Sequence, residues 1–170
     1  DGDTLIGWGM ATAVYPVYSS AATARARLCA DGRVEIEAGS HDIGTGTYTI
    51  LAGIAADALG VGVGQVSVKL GDSRLPKNGY SGGSRTAGSV GSAVLAAAQG
   101  LRAELTERAV NDPDSPLHGV SPSEIRAADG RLYAGQASDT LTDILRRSGK
   151  DQHETYREIC LLYTSPSPRD

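Results

Sequence analysis

Two stretches whose apolar residues recur at helical spacing each begin where a glycine-rich turn ends, and this pairing limits the folds open to the chain. The first, Thr47 to Leu59, sets Ile50, Leu51, Ile54, Ala55, Ala58 and Leu59 on one stripe, with Gly60 where a C-cap belongs. It follows Asp42-Ile43-Gly44-Thr45-Gly46-Thr47. The second runs from Thr86 to about Val110, with Val90, Val94, Leu101 and Leu105 on a stripe and Ala96–Ala98 beside it. It follows Tyr80-Ser81-Gly82-Gly83-Ser84-Arg85-Thr86. A helix N-terminus presents unpaired N–H groups and the positive end of its dipole. Glycines before it accept positive φ, so successive amides can converge on an anion.

The rest of the chain alternates in period two. Leu5 to Pro16 is expected as a first strand, interrupted by Gly and ended by Pro. Thr23–Ala30 and Arg33–Ala38 flank Asp31-Gly32, the strongest short-range hairpin signal. Val66–Leu70 is a short strand, Gly71–Ser84 a long loop, and Asn111–Pro122 a run of breakers. Glu124–Ala128 and Arg131–Ala134 flank Asp129-Gly130, a second Ala-Asp-Gly-Arg hairpin that reads as the same turn type used again. Thr140–Arg147 is a short helix with Thr140 as N-cap. The order βββαβ, loop, αββα predicts an α+β fold, a mixed or antiparallel sheet with the two main helices packed on one face.

Composition narrows the function classes. Gly supplies 22 of 170 residues, about twice an average usage of roughly 7%, as expected where backbones approach each other or a ligand closely. The net charge is −4, and Arg25 and Arg27 alternate along a strand instead of forming a basic stripe, so nucleic acid is not an expected partner. No window approaches roughly 18 uninterrupted apolar residues, so no membrane span is expected. The start, Asp1-Gly2-Asp3-Thr4, shows no targeting signal and leaves cytoplasmic and periplasmic locations open. Cys29 and Cys160 have no metal-ligand spacing, and Cys29 reads as a small buried hydrophobe. Residues 160–170, Cys-Leu-Leu-Tyr-Thr-Ser-Pro-Ser-Pro-Arg-Asp, match a translated sequencing adapter and are set aside. The plain alternative is a Pro/Ser-rich tail. Residues 1–159 are then the expected domain.

Thr45, Thr47, Ser84 and Thr86 place hydroxyls at the two helix starts, and Arg85 adds a cationic fork. Two such turns in one small domain suit a ligand with phosphates or several polar edges. Neither is a Walker loop, since no Gly-Lys-[Ser/Thr] follows, and Gly44-Thr45-Gly46 lacks the third Gly of a dinucleotide fingerprint. The competing reading is that these residues only cap helices. His41, at a strand end before Asp42, is a candidate to bond a ligand, against the plainer reading of a lone His as structural or surface. His118 and His153 read as loop or surface residues, and no nucleophile triad can be assembled. Asp72 reads as an Asx turn, and Glu104, Glu107 and Arg108 as a solvated helix face.

With these segments in order, the chain resembles the molybdenum-binding large subunit of the xanthine dehydrogenase/aldehyde oxidase family, nearest its bacterial aldehyde- and isoquinoline-oxidising branch. The resemblance rests on Gly7-Trp8-Gly9-Met10-Ala11-Thr12-Ala13 with Tyr15-Pro16, Asp31-Gly32, and Asp42-Ile43-Gly44-Thr45-Gly46. It continues through Ala56-Asp57-Ala58-Leu59-Gly60, Gly71-Asp72-Ser73 with Leu75-Pro76, and Gly82-Gly83-Ser84-Arg85-Thr86. The pieces are collinear from about Gly7 to Lys150.

The resemblance implies a molybdopterin cofactor, in the cytosine dinucleotide form usual in bacteria. It implies hydroxylation of aldehydes or N-heterocycles with oxygen from water. Electrons would leave through 2Fe-2S clusters and FAD on partner subunits. Gly44, Thr45 and Gly46 would hold the pterin end, and Gly83, Ser84, Arg85 and Thr86 would form the other cofactor loop, the molybdenum being held through the pterin.

Departures are informative. Thr45 stands where the animal enzymes carry Gln, a change common in the bacterial branch, and His41 where the family more often has Gln or another polar residue, which leaves the role of His41 open. The family's general-base Glu has no counterpart, because no Gly-Glu pair occurs, and the upstream Gly-Gly-Phe-Gly is missing from a chain without Phe. The expectation is therefore an internal fragment that supplies cofactor contacts and no catalytic residue. The alternative is a stand-alone nucleotide- or anion-binding module, and a further one is a domain whose glycines serve packing only.

Overall fold

A computed structural model describes residues 2–14 and 18–159. Seven strands and three helices follow one another as β1 (Ala22–Cys29), β2 (Val34–Glu37), α1 (Thr47–Leu59), β3 (Val66–Lys69), α2 (Arg85–Asn111), β4 (Arg126–Ala128), β5 (Arg131–Ala134), β6 (Ala137–Thr140), α3 (Leu141–Arg147) and β7 (Gln152–Ile159). Four strands make a mixed sheet in the order β3-β2-β1-β7, with only β2–β3 parallel. The fold is α+β, as expected.

Helices α1 and α2 pack on each other and on one face of this sheet. Alternate strand residues Ala22, Ala24, Ala26, Leu28, Val34 and Ile36 bury against Leu51, Leu59, Val90, Val94, Leu101 and Leu105 from the helices. The opposite strand residues carry charge. Arg25 lies beside Glu37 at 3.2 Å, and Arg27 beside Glu35 at 3.0 Å and Glu154 at 2.7 Å. The two arginines are thus neutralised by cross-strand partners.

The two hairpins share a tetrapeptide but not a turn, which corrects the expectation of one turn type. Asp129 and Gly130 both have positive φ, 50° and 70°, and directly join paired Ala128 and Arg131 in a two-residue type I′ turn. In the first hairpin Gly32 is left-handed and Asp31 is not, and the loop closes as Cys29 N–H donates to Arg33 O and Gly32 N–H to Cys29 O. That is a three-residue loop ending in a left-handed Gly. Cys29 is half-buried, not fully enclosed, and burial pushes its thiol pKa up.

Strands β4-β5-β6 form a separate antiparallel sheet. Gly60 fixes its position. The residue caps α1 at φ 67°, its carbonyl accepts from Gly130 N at 2.7 Å, and a Cβ there would lie 2.5 Å from the carbonyl carbon of Ala127. A buried ion pair closes the same region. Asp139, 4% exposed, pairs with Arg147 and accepts from Ser115 Oγ at 2.7 Å, while Arg147 Nε meets Asp112 at 2.6 Å. Thr140 caps α3 as expected, its Oγ1 accepting from Asp143 N at 3.0 Å.

Further expectations are overturned. Leu5–Val14 forms no strand: Trp8 is 97% exposed, and no sheet edge among the described residues pairs with it. Tyr15 and Pro16, the end of that expected strand, lie outside the described residues, as does the segment 160–170. Conversely, β7 was unforeseen. Its sequence is polar on both faces, with Thr155 and no apolar residue fully buried, yet it pairs with β1 along its whole length. Because β7 lies against α2, Glu104 and Arg108 are not simply solvated: His153 Nε2 lies 2.7 Å from Glu104, and Arg108 reaches His153 Nδ1 at 3.3 Å. His153 is accordingly a half-enclosed strand residue whose side chain is 12% exposed.

Candidate functional site

The two glycine-rich turns, separated by almost forty residues in sequence, line one cleft. Its walls are Ile43, Thr45, Thr47, Ile50 and Leu51 from the first segment and Ser81, Gly82, Ser84, Arg85, Thr86 and Ala87 from the second, around a cavity of about 300 Å³. They meet because α1 and α2 pack side by side with their N-termini at the same end. Ile50, placed on the core stripe by periodicity, is 42% exposed and faces this cleft.

In the first turn the chain partly satisfies itself. Gly44 (φ 91°) and Gly46 (φ 75°) are left-handed, as the turn requires. The amides of Gly44 and Thr45 donate to Asp42 Oδ1 at 2.8 and 3.0 Å, and Tyr48 N to Oδ2 at 3.4 Å. Burial pushes the Asp42 carboxyl up, but the N–H groups of Gly44, Tyr48, Thr45 and Thr47 hold it below its usual value. The polar residues lining the cleft here are Thr45 and Thr47, whose hydroxyls lie 3.2 Å apart.

In the second turn the glycines yield space to aromatic rings. A Cβ on Gly83 (φ 62°) would lie 2.6 Å from the Tyr18 ring, whose own backbone N–H donates to Gly83 O at 3.3 Å. A Cβ on Gly82 would lie 2.7 Å from the Tyr80 ring. Ser84 is left-handed at φ 53° and its side chain makes no cap bond to α2. The hydroxyl therefore does not do the capping that the plainer reading assigned to it. Arg85 donates from Nε to Gly82 O at 3.2 Å and from Nη2 to Tyr80 Oη at 2.9 Å, with Cζ 4.1 Å from the Tyr80 ring centre.

His41, left without a role by its sequence context, joins the two turns: its Nδ1 lies 2.9 Å from Ser81 Oγ. Behind that contact a second cleft of about 490 Å³ is lined by Ser40, His41, Asp72, Ser73, Lys77 and Tyr80, among others. Asp72 makes the expected Asx turn, accepting from Arg74 N at 2.9 Å, and the Arg74 side chain and backbone hold its carboxyl at about 2. Asn78 ties the loop to β1, donating to Thr23 O at 2.8 Å and accepting from Thr23 N at 2.9 Å. His118 stands apart from the cleft, on the exposed loop after α2. Among the described residues no helix is long and apolar enough to cross a membrane.

Residues 1–163 match the molybdopterin cofactor-binding domain family. The chain is 40% identical over 141 residues to the aldehyde oxidoreductase molybdenum-binding subunit PaoC of Escherichia coli K12, a stretch covering 83% of the chain and 18% of that subunit. It thus spans about a fifth of the relative's length. The fold is similar to that of a reconstituted CO dehydrogenase from Oligotropha carboxidovorans (TM-score 0.68, 19% identity, 81% of this chain and 18% of that one). It is equally similar to quinoline 2-oxidoreductase from Pseudomonas putida 86 (TM-score 0.68, 21% identity, 83% and 19%).

Proposed function

From the premise that the chain belongs to the molybdopterin cofactor-binding domain family, we propose that the cleft between the two glycine-rich turns is its share of the cofactor site. The convergence of both turns on one cavity carries this reading. The cavity, about 300 Å³, lies at the small end of the roughly 300–1,000 Å³ typical of ligand pockets. It has room for part of an extended cofactor, the remainder being held by the rest of a larger subunit.

The donor set fits such a group. Thr45, Thr47, Ser84 and Thr86 supply hydroxyls, Arg85 a cationic fork for phosphate oxygens, and Ile43, Ile50 and Leu51 an apolar wall for a flat ring. The loop residues Gly44, Thr45 and Gly46 would hold the pterin end, and Gly83, Ser84, Arg85 and Thr86 the far loop. With Gly44 N and Thr45 N already bonded to Asp42, the first turn acts through its threonine hydroxyls while Asp42 keeps the turn in shape. The bound cofactor, in its cytosine dinucleotide form, supplies the two-electron oxidation of an aldehyde or N-heterocycle with oxygen from water.

This chain's residues bind and orient; none of them is assigned to catalysis, because the general-base Glu belongs to another part of the subunit. Iron–sulfur (2Fe-2S) and FAD subunits are the partners in this scheme. Residues 1–159 are the domain portion, and 160–170 are foreign to it. Extending the gene tests the scheme: a downstream Gly-rich Glu motif and neighbouring iron–sulfur and flavin genes are expected, and a reading frame without them contradicts it. The second reading, a stand-alone anion-binding module, is favoured by one observation, that Arg85 at the cleft wall has no carboxylate partner among the described residues. It predicts full-affinity binding of a nucleotide by the 170-residue chain alone.

A further inference from the structure

We propose that Tyr80 is the positioning residue for Arg85, setting the guanidinium at the cleft wall to receive an anionic oxygen. The inference rests on the cofactor-cleft reading and adds to it a residue that lines the neighbouring cleft, not this one. An arginine side chain has several rotatable bonds, and an unpaired one at a surface samples many rotamers. Arg85 is held at three points within its own turn. Gly82 O accepts from Nε at 3.2 Å, Tyr80 Oη accepts from Nη2 at 2.9 Å, and the Tyr80 ring lies under Cζ at 4.1 Å.

None of these partners is charged, and among the described residues no carboxylate forms an ion pair with Arg85. The cation is therefore oriented without being neutralised. Two N–H bonds of the fork are committed to Gly82 and Tyr80, and Nη1 has no protein acceptor among the described residues. A guanidinium so fixed loses less freedom on meeting a phosphate oxygen than a mobile one does. The sequence is built around this contact, since a Cβ on Gly82 would lie 2.7 Å from the Tyr80 ring and push it off Arg85.

Inorganic pyrophosphate titrated into the 15N-labelled chain is the probe, with wild type compared with Tyr80→Phe, Tyr80→Leu and Arg85→Ala. Tyr80→Phe keeps the ring and loses the oxygen, and affinity is expected to fall about threefold. Tyr80→Leu loses both, and a fall on the order of tenfold is expected. In the ligand-free chain the Arg85 Nε–H resonance should stay near its wild-type position in the Phe variant. In the Leu variant it should lose its ring-current shift. The urea midpoint should not change.

Wild-type affinity in Tyr80→Leu, with the midpoint unchanged, overturns the positioning role and leaves the cleft reading standing. Absence of saturable binding by wild type, or undiminished binding by Arg85→Ala, overturns the cleft reading and this proposal with it. If Tyr80→Leu destabilises the fold, Tyr80→Phe decides. Binding by Tyr80→Phe indistinguishable from wild type then overturns the role of the phenol oxygen.

Discussion

His41 Nδ1 lies 2.9 Å from Ser81 Oγ, a side-chain hydrogen bond that joins the two glycine-rich segments, Ser81 lining their shared cleft and His41 the neighbouring one. The bond is exposed, so water competes with it, but its ends sit on loops with few other cross-links to each other. Replacing His41 with Ala removes about 1 kcal/mol of loop coupling, and pyrophosphate affinity should fall about fivefold with little change in global stability. His41→Asn can place a polar atom where Nδ1 stood and should recover most of the loss. Titration calorimetry on the three proteins checks this; equal affinities would remove His41 from the site.

Ser84 separates stability from binding. Its left-handed backbone, φ 53°, costs a non-glycine residue roughly 1–2 kcal/mol, which Gly would relieve against about 0.5–1 kcal/mol of its own entropy. Ser84→Gly should therefore leave the urea midpoint equal or slightly higher. Loss of the hydroxyl should weaken pyrophosphate binding about threefold. A variant that binds as well as wild type would return Ser84 to a purely structural role.

Gly60 supports the second sheet from the end of α1. A methyl group at this position faces the Ala127 carbonyl carbon at 2.5 Å and a left-handed backbone. Strain and displacement together should make Gly60→Ala less stable by about 2–4 kcal/mol. Urea denaturation measures it; a loss under 1 kcal/mol would show that β4 and β5 shift freely.

Asp139 anchors Arg147 and Ser115 in a nearly closed pocket. Asp139→Ala leaves the Arg147 guanidinium without one of its two carboxylates. Because the Arg147 side chain is 27% exposed, the cost should sit near the lower end of the buried-pair range, about 3 kcal/mol. Thermal unfolding checks this, and an unchanged midpoint would contradict it.

Acid should open the first turn before the core. Asp42 and Asp72 both have carboxyls held below the usual value near 3.9, Asp72 at about 2. A depressed folded pKa gives stability that is complete above the unfolded pKa and lost as pH falls through the folded one. Amide protection at Gly44 and Thr45 should therefore be complete above about pH 5 and fade as pH falls below the usual carboxylate value, and that at Arg74, in the neighbouring loop, should fade as pH falls through about 2. Hydrogen exchange reads this directly; protection unchanged at pH 2, with the fold intact, would show that the carboxylates do not hold the turns.

The core face of α2, both hairpins and the two glycine-rich turns were legible because each is written in consecutive residues: a stripe, an Asp-Gly pair, glycines before a helix. The Asx turn at Asp72 was legible too, but the sequence alone left the amides of the first turn open to a ligand, whereas Asp42 takes those of Gly44 and Thr45. Neither β7 nor Tyr18 was legible. The apolar pattern that betrays a strand is absent from Gln152–Ile159, whose stability comes from pairing with a strand more than a hundred residues earlier. Likewise nothing near Tyr18 announces that its ring fills the space a Gly83 side chain would take. The missing strand at Leu5–Val14 is the converse case, a period-two pattern that no strand among the described residues pairs with.

The central claim is that the two turns form one binding site. Backbone amide shifts of the labelled chain during a pyrophosphate titration test it most directly. Thr45 and Thr47 are expected to move together with Ser84–Ala87 along one saturable curve. Shifts confined to a single turn, or two curves with different midpoints, would contradict it.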